Sequence, residues 1–107
     1  MADLWGALAQ SAPGATTLTD AYTVPAGKVA TVEVIACNRG SASSVRVAHA
    51  VAGEADATKQ YVLFDYALAD NDAITTKTFA VSAGDVVRVY SSSGDVSFTV
   101  NGIEEDA

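Results

Sequence analysis

The sequence predicts an all-β protein: an antiparallel β-sandwich or jelly-roll-like domain of about seven strands, preceded by an N-terminal arm. Three observations carry this. From Thr16 onward, apolar and polar residues alternate with period two. Clusters of Gly, Asn, Asp and Ser interrupt the alternation about every ten residues, the spacing of short strands joined by turns. No stretch shows apolar residues at helical spacing over a useful length. With 107 residues the chain makes one domain.

Residues 1–15 stand apart. Met1 to Gln10 runs into the breaker-rich Ser11-Ala12-Pro13-Gly14. Asp3 can cap one helical turn that places Leu4 and Leu8 on one side. A single turn is not stable alone. The segment either folds back against the sandwich or acts as an arm, with Leu4, Trp5 and Leu8 anchoring on a neighbouring subunit.

The sandwich is expected over residues 16–103. Its first strand covers residues 16–24, with Leu18, Tyr22 and Val24 on one face. The second covers 28–38, with Ala30, Val32, Val34 and Ala36 inward and Thr31 and Glu33 outward. After the turn at Asn38-Arg39-Gly40-Ser41, the third covers 43–51, where Val45, Val47 and Val51 share a face with His49. Residues 52–58 read as a polar, flexible loop. A central strand over 59–68 carries Tyr61, Leu63 and Asp65 on one face and Val62, Phe64, Tyr66 and Leu68 on the other. The turn at 69–72 leads to strands over 73–81, 86–91 and 96–103. Residues 104–107 form an acidic, solvated tail.

One pattern occurs twice. Val24-Pro25-Ala26-Gly27-Lys28-Val29-Ala30-Thr31-Val32 returns as Val81-Ser82-Ala83-Gly84-Asp85-Val86-Val87-Arg88-Val89, identical at five of nine positions. Each copy reads as strand, tight turn, strand. Pro25 suits the second position of a turn with Gly27 fourth; in a three-residue loop that glycine takes a left-handed conformation instead. The two corners divide the chain into two similar hairpin meanders joined by the central strand.

Composition narrows the function. Half the residues are apolar, but mostly Ala and Val, with only three Phe, four Tyr and one Trp. Each buried Val contributes about 1.5 kcal/mol or slightly more, so the core is thin and association with other subunits would add stability. Six Lys and Arg against thirteen Asp and Glu give a net charge of −7, which argues against nucleic acid and against anionic membranes. Cys37 has no partner for a disulfide and reads as a small buried hydrophobe in an apolar strand. Met1 to Gln10 has no basic region of the kind that opens a signal peptide, so synthesis in a cytoplasm is expected.

No chemistry emerges. The sole histidine, His49, sits on a Val-rich face, where a satisfied structural role is expected. No nucleophile elbow, phosphate loop or dinucleotide fingerprint appears. One Cys and one His fall short of a zinc site. Asp70-Asn71-Asp72 reads as a turn held by Asx hydrogen bonds rather than a calcium loop. Tyr61, Tyr66, Tyr90 and Trp5 are candidates for a carbohydrate surface but do not cluster in sequence. Arg46 and Arg88 lie mid-strand between valines. Each can pair with Glu33 or Asp65 across neighbouring strands, or reach across a subunit interface, where arginine is enriched. The expectation is no enzyme and no cofactor.

The run Tyr22-Thr23-Val24-Pro25-Ala26-Gly27-Lys28 resembles the opening of small virion structural proteins of tailed bacteriophages. Cys37-Asn38-Arg39-Gly40, Val45-Arg46-Val47, Tyr61 to Asp65, Asn71-Asp72 and Ala83 to Tyr90 extend the resemblance over about residues 20–103. It implies a capsid decoration (cement) protein on the outer capsid surface of the virion: a homotrimer that clamps the major capsid protein or another virion protein. A tail, neck or fibre-attachment component is the alternative station. A carbohydrate-binding adhesion module is the alternative class. The residues expected at the partner interface are Leu4, Trp5, Leu8, Arg46 and Arg88.

Overall fold

A computed structural model describes residues 4–107, with side chains from residue 6 onward. Nine strands build two antiparallel sheets: β1 (Leu4–Ser11), β2 (Thr19–Thr23), β3 (Lys28–Asn38), β4 (Ser43–Ala50), β5 (Tyr61–Leu68), β6 (Ala73–Thr75), β7 (Phe79–Ser82), β8 (Val86–Ser91) and β9 (Val96–Asp106). Sheet I has the order β1-β9-β3-β6, with β7 also on β3; sheet II has the order β2-β8-β4-β5. The all-β sandwich is as expected, with nine strands rather than seven.

β6 and β7 lie in tandem along one side of β3: Thr75 opposite Ile35, Phe79 opposite Val32. Thr76 bridges the gap, donating its amide to the Val34 carbonyl (3.0 Å) and accepting the Val34 amide on Oγ1 (3.0 Å). Counted as one interrupted strand, they turn nine strands into the eight of a double-sheet jelly roll. All remaining connections except β4 to β5 cross between the sheets. The expected hairpin meanders are therefore not formed.

The repeated corners are sheet-to-sheet crossings that pack side by side. β2 pairs with β8 and β3 with β7, which brings the two copies together. Val24 donates its amide to the Asp85 carbonyl (3.0 Å), and its own carbonyl accepts the Gly84 amide (3.0 Å). The turns sit one residue later than Pro25 and Gly27 suggest, spanning Pro25–Lys28 and Ser82–Asp85. Gly27 (φ 75°) and Gly84 (φ 86°) hold the third position in the left-handed region, where a side chain costs about 1 kcal/mol.

The core follows the alternation. Ala30, Val32, Val34 and Ala36 of β3 face Val45, Val47, Val87 and Val89 of sheet II, with Phe98, Val100 and Leu68 closing the interior. The same alternation turns Cys37 outward between the inward-facing Ala36 and Asn38, so the thiol is exposed, not buried. Val51 also departs from expectation. The strand ends at Ala50, and Val51 enters a 3₁₀ turn, exposed.

Both chain ends differ from expectation. Residues 4–11 form a strand, not a helical turn, and β1 pairs along β9 from Leu4↔Glu104 to Ser11↔Phe98; Asp3 lies outside the described residues. The acidic tail is the end of β9, with Lys28 opposite Asp106. Lys28 and Asp106 form a 2.5 Å ion pair. Tyr22 Oη donates to Glu104 at 2.5 Å; burial, then this carboxylate, pushes the Tyr22 phenol above its ordinary pKa.

Candidate interaction surface

Among the described residues no three His, Cys, Asp or Glu side chains gather as a metal site. The buried polar groups serve the fold. Asp85, 5 % exposed, accepts the amides of Ala52 (2.9 Å) and Ser82 (2.9 Å) and meets His49 Nε2 at 2.7 Å. It ties the second corner to the end of β4, and the His49 ring packs 5.8 Å from Phe79. His49 has the satisfied structural role expected of it. Burial alone would raise the Asp85 pKa; the two amides and His49 outweigh it and hold the carboxyl below its usual range.

That lowered pKa fixes a sign. The ionised carboxylate stabilises the fold fully above the unfolded-chain value, and the contribution is lost as pH falls through the lower folded value. Wild type should therefore lose more stability than Asp85→Asn between neutral pH and about pH 3. Denaturant titrations of both proteins at the two pH values check this; equal losses refute it.

The informative surface is on β5, the edge strand of sheet II. Its register against β4 slips twice, around Val62 and again at Phe64-Asp65, which together oppose Arg46. Asp65 takes φ 50°, unusual for a residue with a side chain. Bulges of this kind re-aim side chains. The expected two-faced alternation of residues 59–68 is thereby broken. Leu63 and Leu68 turn to the core, while Val62 (43 %), Phe64 (54 %) and Tyr66 (42 %) are exposed, Tyr66 opposite Val45 and Phe64 beyond the slip. With Val51 these are the exposed large hydrophobic residues among those described.

On the outer face of sheet II, Arg46 lies between two rings, 4.5 Å from the Phe64 centroid and 4.4 Å from Tyr90. Its Nε donates to Asp65 Oδ1 at 2.5 Å, and this carboxylate holds the guanidinium charged. Tyr61 meets Phe64 edge-on at 4.9 Å and donates its hydroxyl to Asp56. The Arg46–Asp65 pair is one of the two cross-strand pairings expected. Arg88 instead pairs with Asp20 (2.9 Å) and donates to the carbonyls of Glu54 and Gly53, pinning the loop over the sheet. Glu33 lies on sheet I, 3.5 Å from the Asn101 amide.

The sandwich is open between β5 and the β6–β7 edge. A groove of about 330 Å³ runs there, lined by Val62, Leu63 and residues 75–79. Of the expected interface residues, Arg46 belongs to the β5 surface. Leu8 is half-buried against the core of its own chain. Leu4 and Trp5 are placed only by register, opposite Glu104 and Ile103. Val62, Phe64 and the groove were not expected. Their signal is the run Tyr61-Val62-Leu63-Phe64, four large apolar residues in succession where one buried face needs two.

No family model and no curated protein matches the sequence. In fold, the chain is similar to the solved structure of the nucleoplasmin-like N-terminal domain of Drosophila FKBP39, with a TM-score of 0.50 and 16 % identity, over 97 % of this chain and 96 % of that one. At that identity the likeness speaks for the fold alone: an all-β sandwich along the full length of both chains.

Proposed function

We propose that the chain is a non-catalytic structural subunit of a tailed-bacteriophage particle: a capsid decoration protein that self-associates and clamps the outer shell. The observation that carries this reading is the apolar surface that Val62, Phe64 and Tyr66 expose along β5. The core does not need it, and the bulges that expose it cost regular pairing. Large apolar side chains exposed together on one edge strand mark interaction sites. The resemblance of residues 20–103 to small virion proteins supplies the particle, and the carboxylate-rich surface suits docking on a basic patch of a shell protein. β1 is an integral strand of sheet I, so shell contact is assigned to the sandwich rather than to a free arm.

The test is addition of purified protein to shells of the parent phage that lack it. Saturable co-sedimentation, with density over the shell in image reconstruction, is expected. Density confined to the tail, neck or fibre base selects the alternative station, and no binding to particles refutes the reading.

A carbohydrate-binding surface is the second reading, favoured by one observation. Tyr61, Phe64 and Tyr90 gather around Arg46 and Asp65, giving partly exposed rings beside charged hydrogen-bonding groups. Titration with host-surface polysaccharide, and loss of the signal in Tyr61→Ala and Tyr90→Ala, would select it.

A further inference from the structure

The two sheets end differently along their two sides. On one side the edges are β1 and β2, and Leu8, Ala9 and Ala21 pack against the core there. On the other side the edges are β5 and the interrupted β6–β7 strand, with the groove of about 330 Å³ between them. Leu63 and Phe79 pack against the core and also line this groove. Val62 adds a third apolar side chain, exposed on its other side. An aliphatic chain held there would extend the interior, and the volume lies at the lower end of the range for small-molecule sites.

The polar part of the lining is Thr75, Thr76, Lys77 and Thr78, and no carboxylate belongs to it. Thr76 is buried and spends its hydroxyl oxygen on the Val34 amide. Among the described residues the Thr75 and Thr78 hydroxyls and the Lys77 ammonium have no hydrogen-bond or ion-pair partner. In a chain of net charge −7 that is an exception. Lys28, Arg46, Lys59 and Arg88 each have a carboxylate, and Arg39 donates to Ser97 and Gly94.

These two halves select the occupant. A cationic ligand is repelled by Lys77, and a neutral one leaves its charge unmet. A peptide brings a donor and an acceptor with every residue, and two free hydroxyls are too few to meet them. One aliphatic chain ending in one carboxylate matches the apolar half and the charged half together.

We propose that the groove between β5 and residues 75–79 binds a free fatty acid of short to medium chain, its hydrocarbon against Val62, Leu63 and Phe79 and its carboxylate on Lys77. The Thr75 and Thr78 hydroxyls are available to donate to the same carboxylate. This site is separate from the Arg46 surface, and the inference does not rest on the shell.

The test uses the full chain with octanoate, octan-1-ol and octylammonium, and two variants, Lys77→Glu and Lys77→Arg. Lys77 is exposed, and circular dichroism confirms that each variant folds. Isothermal titration with octanoate should show saturable one-to-one binding, with amide chemical shifts moving at Val62, Leu63 and residues 75–79. The alcohol and the ammonium should bind at least about tenfold more weakly, Lys77→Glu should weaken octanoate by about the same factor, and Lys77→Arg should retain it. No saturable octanoate binding, equal binding of the alcohol, or unchanged binding in Lys77→Glu would overturn the proposal. An acetylated apolar tripeptide with a free C-terminus is the competing ligand. If it binds more tightly than octanoate, the groove belongs to a protein C-terminus and the fatty-acid assignment is wrong.

Discussion

Replacing Asn38 with alanine should lower stability by roughly 3 kcal/mol. Asn38 is 1 % exposed at the end of β3. Its Nδ2 donates to the carbonyls of Ser41 (2.8 Å), Leu68 (3.2 Å) and Ala69 (3.1 Å), and its Oδ1 accepts the Gly40 amide (3.0 Å). Its backbone amide reaches the Asp72 carbonyl at 2.8 Å. One side chain thus holds the turn from β3 to β4 against the turn from β5 to β6. Alanine leaves these carbonyls without their donor beneath a nearly fully buried position, and an unmet buried polar group costs about 1–3 kcal/mol. Urea denaturation should show a lower midpoint with an unchanged slope. Asn38→Asp is the discriminating control. A carboxylate is the same size but donates nothing and faces three carbonyl oxygens, so it should destabilise at least as much as alanine. If Asn38→Asp matches wild type at neutral pH, the donor role assigned to Nδ2 is wrong.

The sequence makes the core legible because burial on β3, β4, β8 and β9 is decided by strict alternation. A residue such as Val34 has one side to face. Legibility fails where the backbone departs from period two. At β5 two bulges reverse the parity, so Tyr66, expected on the same face as Leu68 and Phe64, is separated from Phe64 by a left-handed Asp65. Bulges respond to tertiary packing and leave only the weak mark of too many consecutive apolar residues. The ends fail for another reason. Ala-rich residues 4–11 have little strand propensity of their own and become a strand because β9 offers an unpaired edge. The acidic end of β9 is likewise drawn into pairing by Lys28 and Tyr22. The duplicated corner is plain in the sequence, but its role in the fold is not. Local turn chemistry cannot say whether a turn returns a strand to its own sheet or carries it to the other.

That limit is sharpest at Gly102, which alternation marks only as a gap in β9. It sits between two strands, opposite Val32 of β3 and Gly6 of β1. A Cβ there would fall inside van der Waals contact with the Thr31 carbonyl oxygen and lie 2.9 Å from the Val32 Cα. Both obstacles are backbone of β3, so no rotamer change relieves them. Gly102→Ala must push β3 and β9 apart along the longest ladder in the protein. Overpacking of this kind costs about 1–3 kcal/mol, and the upper end or beyond is expected because a ladder moves rather than a side chain. At Gly27 the same substitution meets open space and costs only left-handed backbone strain, about 1 kcal/mol. The pair separates two reasons for a glycine within one protein. Gly102→Ala should accelerate amide exchange along β3 and β9 as well as lower the unfolding midpoint, whereas Gly27→Ala should shift the midpoint less and leave exchange at Val32 and Val34 unchanged. Equal midpoints for the two variants would mean that β3 and β9 do not approach as closely as this geometry requires.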